Sequence, residues 1–222
     1  MTLAYVLHLA AYSDGVLYAL ALLLLVALAV TIDRFWYLRR TILQGERVVR
    51  LVGGHERLDT AELDALARGA GALPEAVLLA TALDHRGAER EELSGRLEEA
   101  IMLLAPRIDR GLWILDTIVT LAPLLGLFGT IVGMFHAFSV LAAPGHAPTA
   151  VTAGVADALV ATASGIFIAM LGLAAFNTLQ NRVRLVLLQL DTVKTMVMNR
   201  TAAPVPPAAA ERMARRAVPA GA

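Results

Sequence analysis

The sequence predicts an all-α membrane protein with three transmembrane helices, two of which extend into a cytoplasmic helical bundle. The chain is 58% hydrophobic and has a mean hydropathy of +0.66, which is too apolar for an ordinary soluble domain. Its Lys and Arg residues are confined to residues 34–110 and 182–216. Three apolar segments outside those ranges have the roughly 17–25 residues that a transmembrane helix needs.

The first of these spans runs from Gly15 to Ile32, between Asp14 and Asp33. No Lys or Arg precedes it, and its apolar run is longer than the roughly 7–15 residues of a signal-peptide core. We therefore expect an uncleaved membrane anchor. The second span covers about Thr117 to Phe138, and the third covers about Ala158 to Asn181.

The basic residues predict the orientation of the chain in the membrane. Arginines follow the first span, precede the second and follow the third, whereas the N-terminal tail and the loop near residues 144–149 contain none. The positive-inside rule then places this tail and this loop outside. The predicted segments are an outer tail (1–14), transmembrane helix 1 (15–33), a cytoplasmic helical insert (34–110), transmembrane helix 2 (111–139), an outer loop (140–153), transmembrane helix 3 (154–181), a cytoplasmic helix extension (182–200) and a disordered tail (201–222).

Helical patterns extend beyond the membrane spans. Glycine pairs and Pro74 divide the insert into short pieces, but from Glu75 onward apolar residues recur at helical spacing up to Leu104. Only Pro106 interrupts this pattern, so we expect one helix to run on into the second span. The third span keeps its apolar period to about residue 199, and we expect this extension to pack against residues 93–104.

The composition argues against several classes of function. Basic residues are balanced by acidic ones, with a formal net charge of +0, which excludes a nucleic-acid-binding surface. The chain has no cysteine and its histidines are isolated, so we expect no metal site and no cofactor. We expect no enzyme activity, because no nucleophile elbow or phosphate-binding glycine loop is present. An intramembrane aspartyl protease using Asp116 and Asp157 is an alternative, but the Gly-x-Gly-Asp motif that it requires is missing.

Small residues form a stripe on each of the last two spans. In lipid, helices associate through close backbone approach at such residues, so two facing stripes predict a tightly packed pair. Pro123 in the second span removes a backbone hydrogen bond and is expected to bend that helix. The stripes consist of Ala122, Gly126, Gly129, Gly133 and Ala137 on the second span and of Ala158, Ala161, Gly165, Ala169 and Gly172 on the third.

Polar residues within the spans are the candidate functional groups. Thr130 and Thr162 lie at the edges of the two stripes. Each could bond the i−4 carbonyl of its own helix, or both could face the lumen of an oligomeric ring, and geometry leaves both interpretations open. Asp116 and Asp157 could be solvated at the membrane interface or could face a cavity. His136 could titrate near neutral pH or extend towards the interface.

Two segments carry a family resemblance. Residues 122–134, Ala-Pro-Leu-Leu-Gly-Leu-Phe-Gly-Thr-Ile-Val-Gly-Met, and residues 154–165, Gly-Val-Ala-Asp-Ala-Leu-Val-Ala-Thr-Ala-Ser-Gly, resemble the ExbB/TolQ inner-membrane proteins. The flagellar stator protein MotA is a more distant relative of that family. Asn177 near the end of the third span and the three-span layout also match. The resemblance covers about Arg107 to Asn181, and the remaining chain only in architecture.

The resemblance implies a motor subunit rather than an enzyme. A homopentamer in the bacterial inner membrane would enclose an ExbD/TolR-like dimer, whose carboxylate carries protons. The proton-motive force would then drive a TonB- or TolA-like protein that spans the periplasm, for outer-membrane transport or envelope maintenance. A passive scaffold or non-motor ion channel built on the same bundle is the alternative. His136 does not distinguish the ExbB type from the TolQ type.

The resemblance also implies roles for individual residues. Thr130 and Thr162 match the pore threonines of the family, whose hydroxyls would bond the partner's carboxylate or its waters. Asp157 stands where the family usually has glutamate, and its shorter side chain reaches less far. The predicted proton pathway is therefore Thr130, Thr162 and Asp157. The predicted helix-packing positions are Pro123, Gly126, Gly129, Gly133, Ala161, Gly165 and Ala169.

Overall fold

The described part of the chain is helical throughout. A computed structural model describes residues 15–141 and 148–201, and no strand occurs within these ranges. Three helices, α1, α5 and α6, contain segments long and apolar enough to cross a membrane, which confirms the predicted fold class. The outer tail 1–14, residues 142–147 of the outer loop and the tail after residue 201 lie outside the described residues. The helices are α1 (Val16–Gly53), α2 (Thr60–Ala70), α3 (Pro74–Asp84), α4 (Arg90–Ile108), α5 (Leu112–Leu141) and α6 (Pro148–Thr201).

Local sequence signals set the ends of the short helix α2. Asp59 caps its N-terminus by accepting a hydrogen bond from the Glu62 amide at 2.8 Å. The Glu62 carboxylate in turn accepts one from the Asp59 amide at 2.9 Å, which completes a capping box. Gly71 follows the last turn with φ +58°, a conformation that glycine adopts without steric cost. Pro74 then opens α3 at the first helical position.

The expectation of one continuous helix from Glu75 into the second span is wrong. The helix is broken twice, at Gly87 (φ +95°) and at Gly111 (φ +85°), because a residue in this left-handed region cannot continue a right-handed helix. Pro106, by contrast, lies inside α4 without ending it. The two spanning helices that extend well beyond an apolar span are therefore α1 and α6, the first and the third, rather than the second and the third.

The chain divides into two compact units. Among the described residues, the membrane unit contains residues 15–43, 105–141 and 148–186, and the insert unit contains residues 44–104 and 187–201. Both long helices contribute residues to each unit. The buried apolar side chains of the membrane unit include Val16, Leu20, Ala27, Leu38, Ile108, Leu115, Ile118, Ile168, Leu179 and Val183.

The insert unit buries the predicted apolar face of α4 and the end of α6. Two polar contacts join these helices on the side that faces solvent. Lys194 Nζ donates to Glu98 Oε2 at 2.9 Å, and Arg90 Nη2 donates to Asn199 Oδ1 at 3.0 Å. The expected packing of α4 against the extension of the third span is therefore present. The buried residues of these two segments are Leu93, Leu97, Ala100, Leu104, Leu190, Val193, Val197 and Met198.

Arg200 ties the end of α6 to the end of α1 within the insert unit. Its Nε donates to the His55 carbonyl at 2.6 Å, and its Nη2 donates to the Gly53 carbonyl at 3.3 Å. The last carbonyls of a helix lack partners within that helix, and here the guanidinium supplies a donor to the last one of α1, at Gly53, and to the His55 carbonyl just beyond the helix. The sequence pattern gave no indication of this contact.

Glu75 is fully buried in the insert unit. Neither of its carboxyl oxygens has a hydrogen-bond partner among the described residues. Desolvation by burial raises the pKa of this carboxyl, against a smaller opposing effect of its own backbone amide. Gly45 of α1 provides the space, because a Cβ at that position would collide with Glu75 Oε1 and would lie 3.0 Å from Gln189 Oε1. The folded state therefore favours the neutral form of the Glu75 carboxyl.

Glu75→Gln is expected to stabilise the protein at about pH 8 and to reduce the pH dependence of its stability. Because the pKa of Glu75 is raised on folding, the folded state binds more protons than the unfolded state once the pH exceeds about 4.3, the usual glutamate value. The free energy of unfolding then falls as the pH rises from about 4.3 towards the raised pKa of the folded state. The fall is about 1.4 kcal/mol for each unit by which folding raises the pKa. Thermal unfolding in detergent, followed by circular dichroism across this range, measures the effect.

Glu91→Gln is the matched control, because Glu91 is an exposed residue in the first turn of α4. This control is expected to keep the pH profile of the parent protein. A Glu75→Gln profile that also overlays that of the parent would contradict the conclusion that burial raises the pKa of the Glu75 carboxyl.

Candidate functional site

The backbones of α5 and α6 approach each other most closely at Gly126 and Gly165. A Cβ on Gly126 would lie 2.9 Å from the Ala161 carbonyl oxygen and 3.0 Å from Thr162 Cα. A Cβ on Gly165 would collide with the Ala122 carbonyl oxygen and would lie 3.1 Å from Gly126 Cα. These neighbours are backbone atoms, which cannot rotate away as a side chain can. Only glycine at both positions permits this helix separation.

The same close packing continues along both helices, and we call it the glycine seam. A Cβ on Gly133 would lie 2.8 Å from Ala158 Cβ. A Cβ on Gly129 would lie 2.8 Å from Ala161 Cβ and 3.0 Å from Val16 Cγ1, so α1 also packs against the seam. The buried members are Ala122, Gly126, Gly129, Gly133 and Ala137 on α5 and Ala158, Ala161, Gly165 and Gly172 on α6, while Ala169 is half-buried.

Thr130 and Thr162 meet at the edge of the seam. Their hydroxyl groups are hydrogen-bonded to each other across the two helices. Thr162 Oγ1 also donates to the Gly126 carbonyl oxygen at 3.0 Å. Thr130 Oγ1 lies 3.2 Å from the same oxygen and 3.4 Å from the Ala158 carbonyl oxygen. The two half-buried threonines therefore form one polar group with the backbone carbonyl of Gly126.

The number of hydroxyl protons limits what this group can do. Each hydroxyl carries one proton and two acceptor lone pairs. When one threonine donates to the other, the second donates to the Gly126 carbonyl, and both protons are used inside the group. The first hydroxyl oxygen then keeps lone pairs that can accept a hydrogen bond from outside. The direction of these hydrogen bonds can reverse by rotation of the hydroxyl groups alone, because both hydroxyls reach the same carbonyl.

Asp157 is not part of this polar group. It lies just over one turn before Thr162 on α6 and is half-buried, and its side chain has no hydrogen bond or ion pair within residues 15–141 and 148–201. Asp116 is exposed near the start of α5. His136 lies near the other end of α5, with its ring centroid 6.0 Å from that of Phe135. Pro123 is half-buried inside α5, which continues through it.

Sequence reasoning missed the Gly126 carbonyl as the acceptor shared by both threonines. Gly126 precedes Thr130 by four residues, so the contact within α5 follows from helix geometry. The contact from Thr162 depends on how α6 is aligned along α5, which no local pattern specifies. No group of three His, Asp or Glu side chains that could hold a metal ion is present in the described parts of the chain.

Comparison with known sequences identifies the family. The sequence profile of the MotA/TolQ/ExbB proton channel family matches residues 70–192, which include α4, α5 and most of α6. The chain belongs to this family. This finding confirms the resemblance that residues 122–134 and 154–165 suggested, and the matched range contains the glycine seam and both threonines.

Three relatives show how far the similarity extends. The putative biopolymer transport protein ExbB-like 1 of Synechocystis sp. is 32% identical over 168 residues, covering 74% of this chain and 66% of the relative. Biopolymer transport protein ExbB of Neisseria gonorrhoeae is 34% identical over 104 residues, covering 46% and 47%. The Tol-Pal system protein TolQ of Haemophilus influenzae is 34% identical over 148 residues, covering 65% and 56%. The chain thus spans about half to two thirds of the length of these relatives.

Gly165→Ala is expected to destabilise the membrane unit by about 1–3 kcal/mol, because the new methyl group would meet fixed backbone atoms. Gly172→Ala is the matched control. It lies two turns further along α6, and its added Cβ would meet only the Val119 Cγ2 methyl group, at 3.1 Å, which can move. The thermal unfolding midpoints of both variants in detergent give the comparison. Equal midpoints would contradict the assignment of Gly165 as the point of closest approach.

Proposed function

We propose that this chain is the ring-forming subunit of an inner-membrane motor driven by the proton-motive force. In this proposal it assembles as a homopentamer around an ExbD/TolR-like dimer. The assembly energises a TonB- or TolA-like protein for outer-membrane transport or envelope maintenance. The observation that carries the proposal is the pair of hydroxyls, Thr130 and Thr162, which are joined at the edge of the glycine seam between two largely apolar helical spans.

The chemistry of the threonine pair suits a partner that gains and loses a proton. A neutral carboxylic acid can donate to the free lone pairs of the pair. An ionised carboxylate can instead accept a hydrogen bond if one threonine turns its proton outward. The pair can therefore bind both protonation states of one carboxyl without moving the backbone, and no fixed charge of its own would hold the carboxyl in either state.

Exposed apolar side chains support assembly within a membrane. Phe135 of α5 is 71% exposed, and Met170 of α6 is 58% exposed. A soluble monomer rarely exposes so many large apolar side chains on one surface, so lipid or further subunits are expected to cover them. The residues concerned are Leu124, Leu127, Phe128, Ile131, Phe135 and Phe138 on α5 and Leu159, Ile166, Phe167 and Met170 on α6.

The charge distribution supports an orientation with the N-terminus in the periplasm and the C-terminus in the cytoplasm. No Lys or Arg occurs before Arg34 or between Gly111 and Asn181, which leaves the outer segments without positive charge. In this orientation protons enter from the periplasmic side. Each elementary charge that crosses 100 mV releases about 2.3 kcal/mol, so several crossings supply enough free energy for a mechanical step.

Thr162→Val is expected to lower proton flux roughly tenfold, because the partner carboxyl loses a hydrogen bond of the strength typical for charged groups. The complex with the small single-span partner would be reconstituted in liposomes, with a potassium diffusion potential and a pH-sensitive dye to record flux. Thr162→Ser should retain flux, because it keeps the hydroxyl. The mass of the assembly, measured by light scattering, should be unchanged in both variants.

Thr120→Val is the matched control on α5, because among the described residues the Thr120 hydroxyl bonds carbonyls of its own helix alone, such as that of Thr117 at 2.9 Å. It should leave flux unchanged. Flux at the parent level in Thr162→Val would contradict the proposed role of the threonine pair. Flux that is equally large without the single-span partner would instead identify a non-motor ion channel.

A further inference from the structure

A groove lies between α1 and α6 at the edge of the membrane unit. It has a volume of about 620 Å³. The α6 side presents residues spaced three and four apart, so they share one face of that helix. All lining residues belong to the membrane unit. They are Arg39, Ile42 and Leu43 on α1 and Asn177, Thr178, Asn181, Arg182 and Leu185 on α6.

The groove is positively charged, and neither arginine is neutralised. Arg39 and Arg182 have no ion-pair partner within the described ranges, and no acidic residue lines the groove. The Arg182 guanidinium stacks on the Phe35 ring, with 4.0 Å from Cζ to the ring centroid. This contact holds one cation in place. Asn177 and Asn181 add side-chain amides, so the groove can offer both charge and neutral hydrogen-bond donors.

The charge pattern indicates that the groove lies near the boundary between the apolar spans and the basic segments, where the headgroup layer of a bilayer is expected. Asn181 is the last residue of the segment that carries no Lys or Arg, and Arg182 is the first cation after it. On α1 the apolar span ends at Ile32 and cations begin at Arg34. Basic pockets between transmembrane helices on the cytoplasmic side are typical binding sites for anionic lipid headgroups.

We propose that this groove binds the phosphate of an anionic phospholipid, such as phosphatidylglycerol, with Arg39 and Arg182 as the cationic ligands. Guanidinium groups bind phosphate oxygens through paired hydrogen bonds. Ile42, Leu43 and Leu185 provide the apolar wall against which the glycerol backbone lies. A headgroup that carries its own cation would find no carboxylate in the lining, so the groove should select against phosphatidylethanolamine. This inference does not depend on the proposed motor function.

Two double variants with equal change in charge test the proposal. Arg39→Gln with Arg182→Gln removes both ligands, whereas Arg40→Gln with Arg184→Gln removes the next arginine on α1 and a neighbouring one on α6. Arg40 and Arg184 are exposed and do not line the groove. Native mass spectrometry of the detergent-solubilised full chain, titrated with phosphatidylglycerol or phosphatidylethanolamine, measures the affinity for each lipid.

The parent and the Arg40/Arg184 variant should prefer phosphatidylglycerol, and the Arg39/Arg182 variant should lose about 25-fold in affinity, roughly fivefold for each arginine. Arg39→Gln alone leaves the Arg182–Phe35 stack intact and should lose about fivefold, which keeps the test decisive if the double variant does not fold. Equal losses in both double variants would overturn the proposal, since they would indicate unspecific surface attraction. Displacement of the lipid by millimolar inorganic phosphate would also overturn it, in favour of a site for a free anion.

Discussion

The contact between Gly126 and Gly165 sets the separation of α5 and α6, and the polar chemistry of the membrane unit depends on that separation. Helices in lipid gain no hydrophobic free energy by pairing, so packing contacts and interhelical hydrogen bonds must hold them together. At Gly126 a single Cβ would meet both the Ala161 carbonyl oxygen and Thr162 Cα. With the helices moved apart to accept it, Thr162 could no longer reach the Gly126 carbonyl.

This separation explains how two hydroxyls are accommodated in an apolar environment. An unsatisfied polar group in hydrocarbon costs several kcal/mol, and each threonine avoids this cost through the other threonine and through the Gly126 carbonyl. The arrangement leaves lone pairs free and adds no charge to the membrane unit. A partner carboxyl placed beside the pair would meet a polar surface whose hydrogen bonds can reverse direction.

Much of the fold follows from the sequence, because charged and apolar residues are strongly segregated along the chain. Charged residues cannot remain in the bilayer without large cost, so the distribution of Lys and Arg predicts the three spans. The helix ends at Gly87 and Gly111 could not be predicted in the same way. Gly126 is helical and Gly111 is not, and the difference depends on tertiary packing rather than on residue type.

The candidate site was predictable to a similar extent. Helical spacing of small residues indicates the seam, and the i−4 relation of Gly126 to Thr130 is local. The pairing of Thr130 with Thr162 and the separation of Asp157 from both depend on the axial alignment of α6 along α5. That alignment depends on the pairing of glycines on one helix with backbone carbonyls on the other, and the sequence of a single chain does not specify this pairing. The roles of Thr130, Thr162 and Asp157 in proton transfer stay predictions.

Thr130 and Thr162 should act as one polar group, and a double-mutant cycle tests this most directly. Proton flux would be compared among Thr130→Val, Thr162→Val and the double variant in the reconstituted complex. If the hydroxyls work as a unit, the double variant should lose about as much flux as either single variant, roughly tenfold. Losses that multiply to roughly a hundredfold would mean that the two threonines act independently, and would contradict their action as one polar group.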